Sequence, residues 1–135
     1  MMPGHYRWAG CGVATVLALT IGFVGLKWLQ LDADRDDVSE VVLVARDMEF
    51  FQDGAFGAPN PPLRFKAGAR VRLVLRNEDP GMTHNFAVPA WGVATRNLES
   101  GETASVEFAV PPGNGPHPYE CTPHARLMRG AIEIQ

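Results

Sequence analysis

From residue 41 onward, apolar side chains recur at every second position in short runs bounded by glycine and proline. The run "ARVRLVLRNEDPG" (69–81) sets Val71, Leu73 and Leu75 against Arg70, Arg72 and Arg76 and stops at Pro80-Gly81. Successive side chains on a strand point to opposite faces, so this pattern predicts a half-buried strand. "GETASVEFAVPPG" (101–113) repeats the pattern, with Ala104, Val106, Phe108 and Val110 opposed to Thr103, Ser105 and Glu107 between turn residues. "THNFAV" (83–88) places His84, Phe86 and Val88 on one face, and "GAIEIQ" (130–135) turns Ile132 and Ile134 inward. With "VVLVAR" (41–46) and "PPLRFKAG" (61–68), six or seven short strands are predicted. An all-β, antiparallel β-sandwich is the packing that buries one face of each. Residues 47–60, "DMEFFQDGAFGAPN", show no clear period and are expected to form a loop or a small helical turn.

The pattern before residue 41 is different. Ala9 to Leu26, "AGCGVATVLALTIGFVGL", is an uncharged run of eighteen residues. As a helix it would reach about 27 Å, close to the roughly 30 Å hydrocarbon core of a bilayer. Trp8 and Trp28 flank it, and Lys27 can extend to the interface. The reading is one N-terminal transmembrane helix within an anchor spanning 1–31. A cleaved signal peptide is the rival, but the run exceeds the usual length of such a segment and no small-x-small cleavage site follows it. Residues 32–40, "DADRDDVSE", read as an acidic linker, and 41–135 as the domain. Arg7 before the span and acids after it place the domain on the extracytoplasmic, periplasmic side of the membrane.

Composition narrows the function classes. The chain's 14 glycines and 11 prolines cut into its helix prospects and favour short strands. Of its charges, ten acids face nine bases between 41 and 135, so no basic field marks a nucleic-acid partner. The two cysteines are Cys11, inside the apolar run, and Cys121, so a disulfide between them is not expected.

Candidate chemistry lies in "YECTPHARLM" (119–128), with Cys121, His124 and Met128 in one loop, and in His84 upstream. Taken singly, a His is commonly a surface residue, a buried Cys a small apolar group and a Met core filling. Together they form a soft donor set of one thiolate, two imidazoles and a thioether, which suits copper cycling between Cu(I) and Cu(II). Zinc is the rival metal, although it normally takes Cys, His or carboxylate where this loop offers Met. Covalent haem attachment would need Cys-x-x-Cys-His, which is absent. His117 shares the strand parity of Cys121, but four extended residues set it roughly 13 Å away, at the rim.

Through "YECTPHARLM" and "THNF" the stretch 41–135 resembles the cupredoxins, the blue copper family of plastocyanin, pseudoazurin and amicyanin. The resemblance implies a Greek-key sandwich holding one type 1 copper ion, with His84, Cys121 and His124 as equatorial ligands and Met128 as the axial one. It also implies that Asn85 and Thr122 tie the two ligand loops together. Three residues separate His124 from Met128, a spacing between those of the shorter and longer family loops. The second loop cysteine of a binuclear copper site, as in cytochrome oxidase subunit II, is missing, as is the added histidine set of multicopper oxidases.

The function so implied is that of a membrane-tethered one-electron carrier between transient redox protein partners, without an enzymatic reaction or a small-molecule substrate. Electrons would pass through the His124 ring, within a patch of Met82, Pro123, Ala125 and Leu127 rimmed by Arg126 and Arg129. Copper storage or delivery is the alternative, and a copper enzyme with an open coordination position a third.

Overall fold

The computed structural model describes residues 38–135. The anchor and most of the acidic linker lie outside the described residues. The alternation at 70–77 forms a strand, Arg70–Asn77, whose Val71, Leu73 and Leu75 are fully buried while its arginines face outward. Nine strands are described: β1 (Val38–Arg46), β2 (Glu49–Gln52), β3 (Leu63–Phe65), β4 (Arg70–Asn77), β5 (Ala87–Val88), β6 (Val93–Ala94), β7 (Thr103–Ala109), β8 (Gly115–Glu120) and β9 (Arg129–Ile134). They form two sheets, in the orders β2-β1-β4-β7 and β3-β9-β8-β5-β6. The apolar faces meet in one core that includes Leu43, Phe50, Leu73, Phe86, Tyr119 and Ile132.

Three features differ from the sequence reading. The pairing is not wholly antiparallel, because β1 runs parallel to β4 and β3 runs parallel to β9. The physical reason is the path of the chain: after the β1–β2 hairpin it crosses to the second sheet to form β3, then returns to lay β4 beside β1. The first strand begins at Val38, inside the stretch read as linker, and Glu40 there lies 3.6 Å from Arg72 on the adjacent strand. Finally, residues 47–60 contain β2, joined to β1 by the two-residue turn Asp47-Met48. Both turn residues have positive φ, 53° and 62°, as a tight hairpin of matching twist requires. Neither is the glycine or asparagine that usually announces such a turn.

The crossing segment is tied to the C-terminal end of the domain. Asn60 holds the backbone N–H of Phe50 through its Oδ1 and donates from Nδ2 to the Leu127 carbonyl at 3.2 Å. Tyr119 donates its hydroxyl to the Pro61 carbonyl at 2.7 Å, and burial pushes its phenol pKa well up. Its ring stacks on Phe86 at 5.4 Å and lies 5.6 Å from Phe50.

Candidate metal centre

The period of two that builds the core also assembles the site. Phe86 lies two residues after His84, and Tyr119 two before Cys121, so stacking of these two rings brings residues 84 and 121 to the same end of the sandwich. The antiparallel pairing of β5 with β8 sets Ala87 opposite Glu120, and continuing that register by two residues sets Asn85 opposite Thr122. After β8 the chain makes a 3₁₀ turn, Thr122–His124, which swings His124 back over Cys121. The loop closes through its own backbone: His124 N–H donates to the Cys121 carbonyl, Met128 N–H to the His124 carbonyl and Cys121 N–H to the Met128 carbonyl, at 2.9, 3.0 and 3.0 Å.

The result is a cluster of His84, Cys121 and His124, whose ligand atoms all lie within 4.8 Å of one another. Cys121 Sγ is 3.5 Å from His84 Nδ1 and 3.6 Å from His124 Nδ1. A metal with bonds of about 2.0 Å to nitrogen and about 2.3 Å to sulfur, at trigonal to tetrahedral angles, separates N and S donors by roughly 3.6 Å, so the cluster fits one ion. Cys121, His84 and Met128 are fully buried, whereas His124 is half-exposed. Burial pushes the Cys121 thiol pKa up, partly offset by the nearby backbone N–H groups of Asn85 and His124. The metal-free side chain is therefore a thiol, and a metal bound there must displace its proton. His117 stands apart from the cluster, with its ring 5.3 Å from Trp91.

Asn85 and Thr122 join the two loops. Thr122 N–H donates to Asn85 Oδ1 at 2.7 Å, and Asn85 Nδ2 donates to Thr122 Oγ1 at 3.3 Å. Asn85→Ala removes both bonds, and is expected to lower the stability of the metal-free chain by about 1–2 kcal/mol. Thermal or denaturant unfolding measures this; an unchanged midpoint would show that the tie adds nothing to stability.

Two buried polar residues near the site have no counterpart in the sequence reading, where "RNEDPG" is only the end of a strand. Asn77 donates from Nδ2 to the carbonyls of Met82 and Leu98 at 2.7 and 2.9 Å, and accepts the Asp79 N–H at 3.0 Å. It thereby shapes the loop leading into His84, which itself exchanges backbone bonds with Leu98. Asp79 lies 3.0 Å from His84 Nε2. The signal that could have found them is the Asn-x-Asp spacing, which favours a side-chain-capped turn, just ahead of a candidate ligand.

Solved structures share this architecture. Auracyanin B matches with 24% sequence identity, covering 76% of this chain and 92% of that chain, at a TM-score of 0.57. Rusticyanin from Thiobacillus ferrooxidans matches with 23% identity, covering 74% of this chain and 79% of that chain, at a TM-score of 0.55. The described domain has the cupredoxin fold. The periplasmic domain of subunit II of cytochrome oxidase of Bradyrhizobium japonicum is also similar, with 16% identity, 75% of this chain and 86% of that chain covered, and a TM-score of 0.55. No protein-family model and no curated protein matches the sequence. Within the cupredoxin fold, Cys121 is the one cysteine of the described residues, so a single thiolate is available to the cluster.

Proposed function

We propose that the domain is a one-electron carrier whose His84, Cys121, His124 and Met128 hold one copper ion. The observation that carries this reading is the cluster itself: one cysteine sulfur within 3.6 Å of two imidazole nitrogens, with a buried methionine closing the same loop. A copper ion bound there would supply reversible Cu(I)/Cu(II) exchange. The chain's own residues do the rest. Buried Cys121, His84 and Met128 exclude water from one side of the cluster, and the Asn85–Thr122 tie limits movement of the two loops that carry the donors. Four protein donors leave no open position for a substrate, which favours a carrier over an enzyme. Burial of three of the four favours retention over delivery to another protein.

His124 is the half-exposed member and so the route by which electrons enter and leave. Pro123, Ala125, Arg126 and Leu127 surround it along a shallow depression, and Leu127 is 63% exposed. An apolar patch with a cationic rim fits small, short-lived contacts with a redox protein. Arg126→Glu is expected to slow electron exchange with an anionic iron complex such as ferricyanide by about tenfold at low ionic strength. The difference should shrink as salt is added. Stopped-flow rates that stay equal to those of the parent at low salt would move the exchange route elsewhere.

We further propose that residues 1–31 tether this carrier to a membrane, with the domain on the extracytoplasmic side. The eighteen-residue uncharged run from Ala9 to Leu26 supports this. The reading as a whole is tested by adding one equivalent of Cu(II) to the detergent-solubilised full chain, then cycling it with ascorbate and ferricyanide. An intense visible band that bleaches and returns over repeated cycles, with copper retained against a Cu(I) chelator, is the expected result. Ready loss of Cu(I) to the chelator would favour delivery, and no visible band would remove the copper-thiolate site.

A further inference from the structure

His84 presents Nδ1 to Cys121 Sγ at 3.5 Å and Nε2 to the Asp79 Oδ2 atom at 3.0 Å, and the ring between them is fully buried. A buried carboxylate beside an imidazole nitrogen needs a proton between them, so the neutral ring carries its N–H at Nε2 and keeps its lone pair at Nδ1. Asp79 is itself fixed from two sides. The Met48 N–H donates to the same Oδ2 at 3.0 Å, and the Asp79 N–H donates to Asn77 Oδ1 at 3.0 Å. Met48 aims its N–H there from a backbone with φ of 62°, in the left-handed region that a residue with a side chain seldom adopts. The hairpin turn between β1 and β2 thus meets Asp79, which in turn meets the outer nitrogen of a candidate ligand. A carboxyl group that accepts the Met48 N–H and faces an imidazole nitrogen has donors on the same oxygen and none of its own to give, so the group beside His84 is a carboxylate at neutral pH.

We infer that Asp79 is the positioning residue of His84: its carboxylate selects the Nε2–H form of the ring, aims Nδ1 at the cluster and raises the ring's donor strength. This inference rests on the copper reading only for its effect on redox balance, and the placement of the proton stands without it. A carboxylate on the far nitrogen pushes electron density toward the metal-facing one. The more basic donor favours Cu(II) over Cu(I), so the charge of Asp79 lowers the reduction potential. Met48, far from the ligand loop in sequence, helps hold that carboxylate in place.

Two measurements test it. In the metal-free full chain, nitrogen-15 NMR should show His84 in the Nε2–H form, with that proton slow to exchange; an Nδ1–H ring would overturn the inference whether or not the protein binds copper. In the copper-loaded chain, Asp79→Asn keeps an oxygen to accept from His84 but removes the charge. It is expected to shift the Cu(I) to Cu(II) preference by about tenfold toward Cu(I), a rise of about 59 mV for one electron. A potential equal to that of the parent, in a variant whose visible band shows the site intact, would refute the assignment. Should Asp79→Asn fail to fold, the NMR result on the unaltered chain decides. A parent chain that takes up no copper would sink the proposed carrier function, while the NMR result would still stand for or against Asp79.

Discussion

Cys121→Ser is expected to abolish the intense visible absorption of the copper-loaded chain and to weaken copper binding by about a thousandfold, or about 4 kcal/mol. Cys121 supplies the only sulfur anion available to the cluster among the described residues, and its Sγ lies within 3.6 Å of both ligand imidazoles. A serine hydroxyl stays neutral near neutral pH and is a hard, weak donor to copper. Losing it should exceed the roughly 10–100-fold typical of losing a residue that only supports a ligand. The fold should tolerate the change. A hydroxyl at this buried position has two imidazole nitrogens as hydrogen-bond partners, so the metal-free variant should melt within about 1 kcal/mol of the parent. Chelator competition and absorption spectroscopy read the first effect, and unfolding of the metal-free protein the second. A variant that keeps the visible band would mean that the thiolate is not a ligand.

The largest effect on stability is expected at Gly130, which supplies no donor atom itself. Gly130 pairs with Tyr119 across β8 and β9, and a β-carbon on it would overlap the Tyr119 ring. Glycine within a strand often marks such an approach. The ring has little room to retreat, since it is fully buried, stacks on Phe86 and is held at its hydroxyl by the Pro61 carbonyl. Gly130→Ala should therefore cost about 3 kcal/mol, at the upper end of the usual range for overpacking. Tyr119 also precedes Cys121 by two residues on the same strand face, so displacing the ring should disturb the thiolate and shift the visible band of the loaded protein. Denaturant unfolding of the metal-free chain checks the first outcome; a loss under 1 kcal/mol would show that β9 slides to make room.

The strands that were legible in the sequence are those with one face buried and one solvated. At β4 and β7 the outward positions are charged or hydroxylated, so the period of two is visible in composition alone. The segment from His84 to Val88 reads as alternating, with His84, Phe86 and Val88 on one face, but it is buried at every position. The burial of Asn85 and Ala87 and the segment's setting, a single bridge to Leu98 followed by a two-residue strand, are not visible in that pattern. Strand β2 is not legible because its turn places Met48 where a glycine normally follows Asp47, so the usual hairpin signal is missing. The parallel pairs were hidden for another reason. Which sheet a strand joins depends on where the chain crosses, and the crossing at 53–62 is fixed by Asn60 and by the Tyr119 hydroxyl, contacts that span 58 to 67 residues.

The candidate site was more legible than the fold around it. Three donors share one loop, and soft ligands of that kind at that spacing have few other uses together. What the spacing did not reveal was the support. Asn77 and Asp79 look like ordinary turn residues until the structure shows both buried, one shaping the loop before His84 and the other set against its ring.

X-ray absorption at the copper edge, on the full chain loaded with one equivalent, would bear most directly on the proposed centre. One sulfur at short bonding distance and two imidazole nitrogens are expected, with the short sulfur signal gone in Cys121→Ser. Copper surrounded by nitrogen and oxygen alone, unchanged by that substitution, would contradict it.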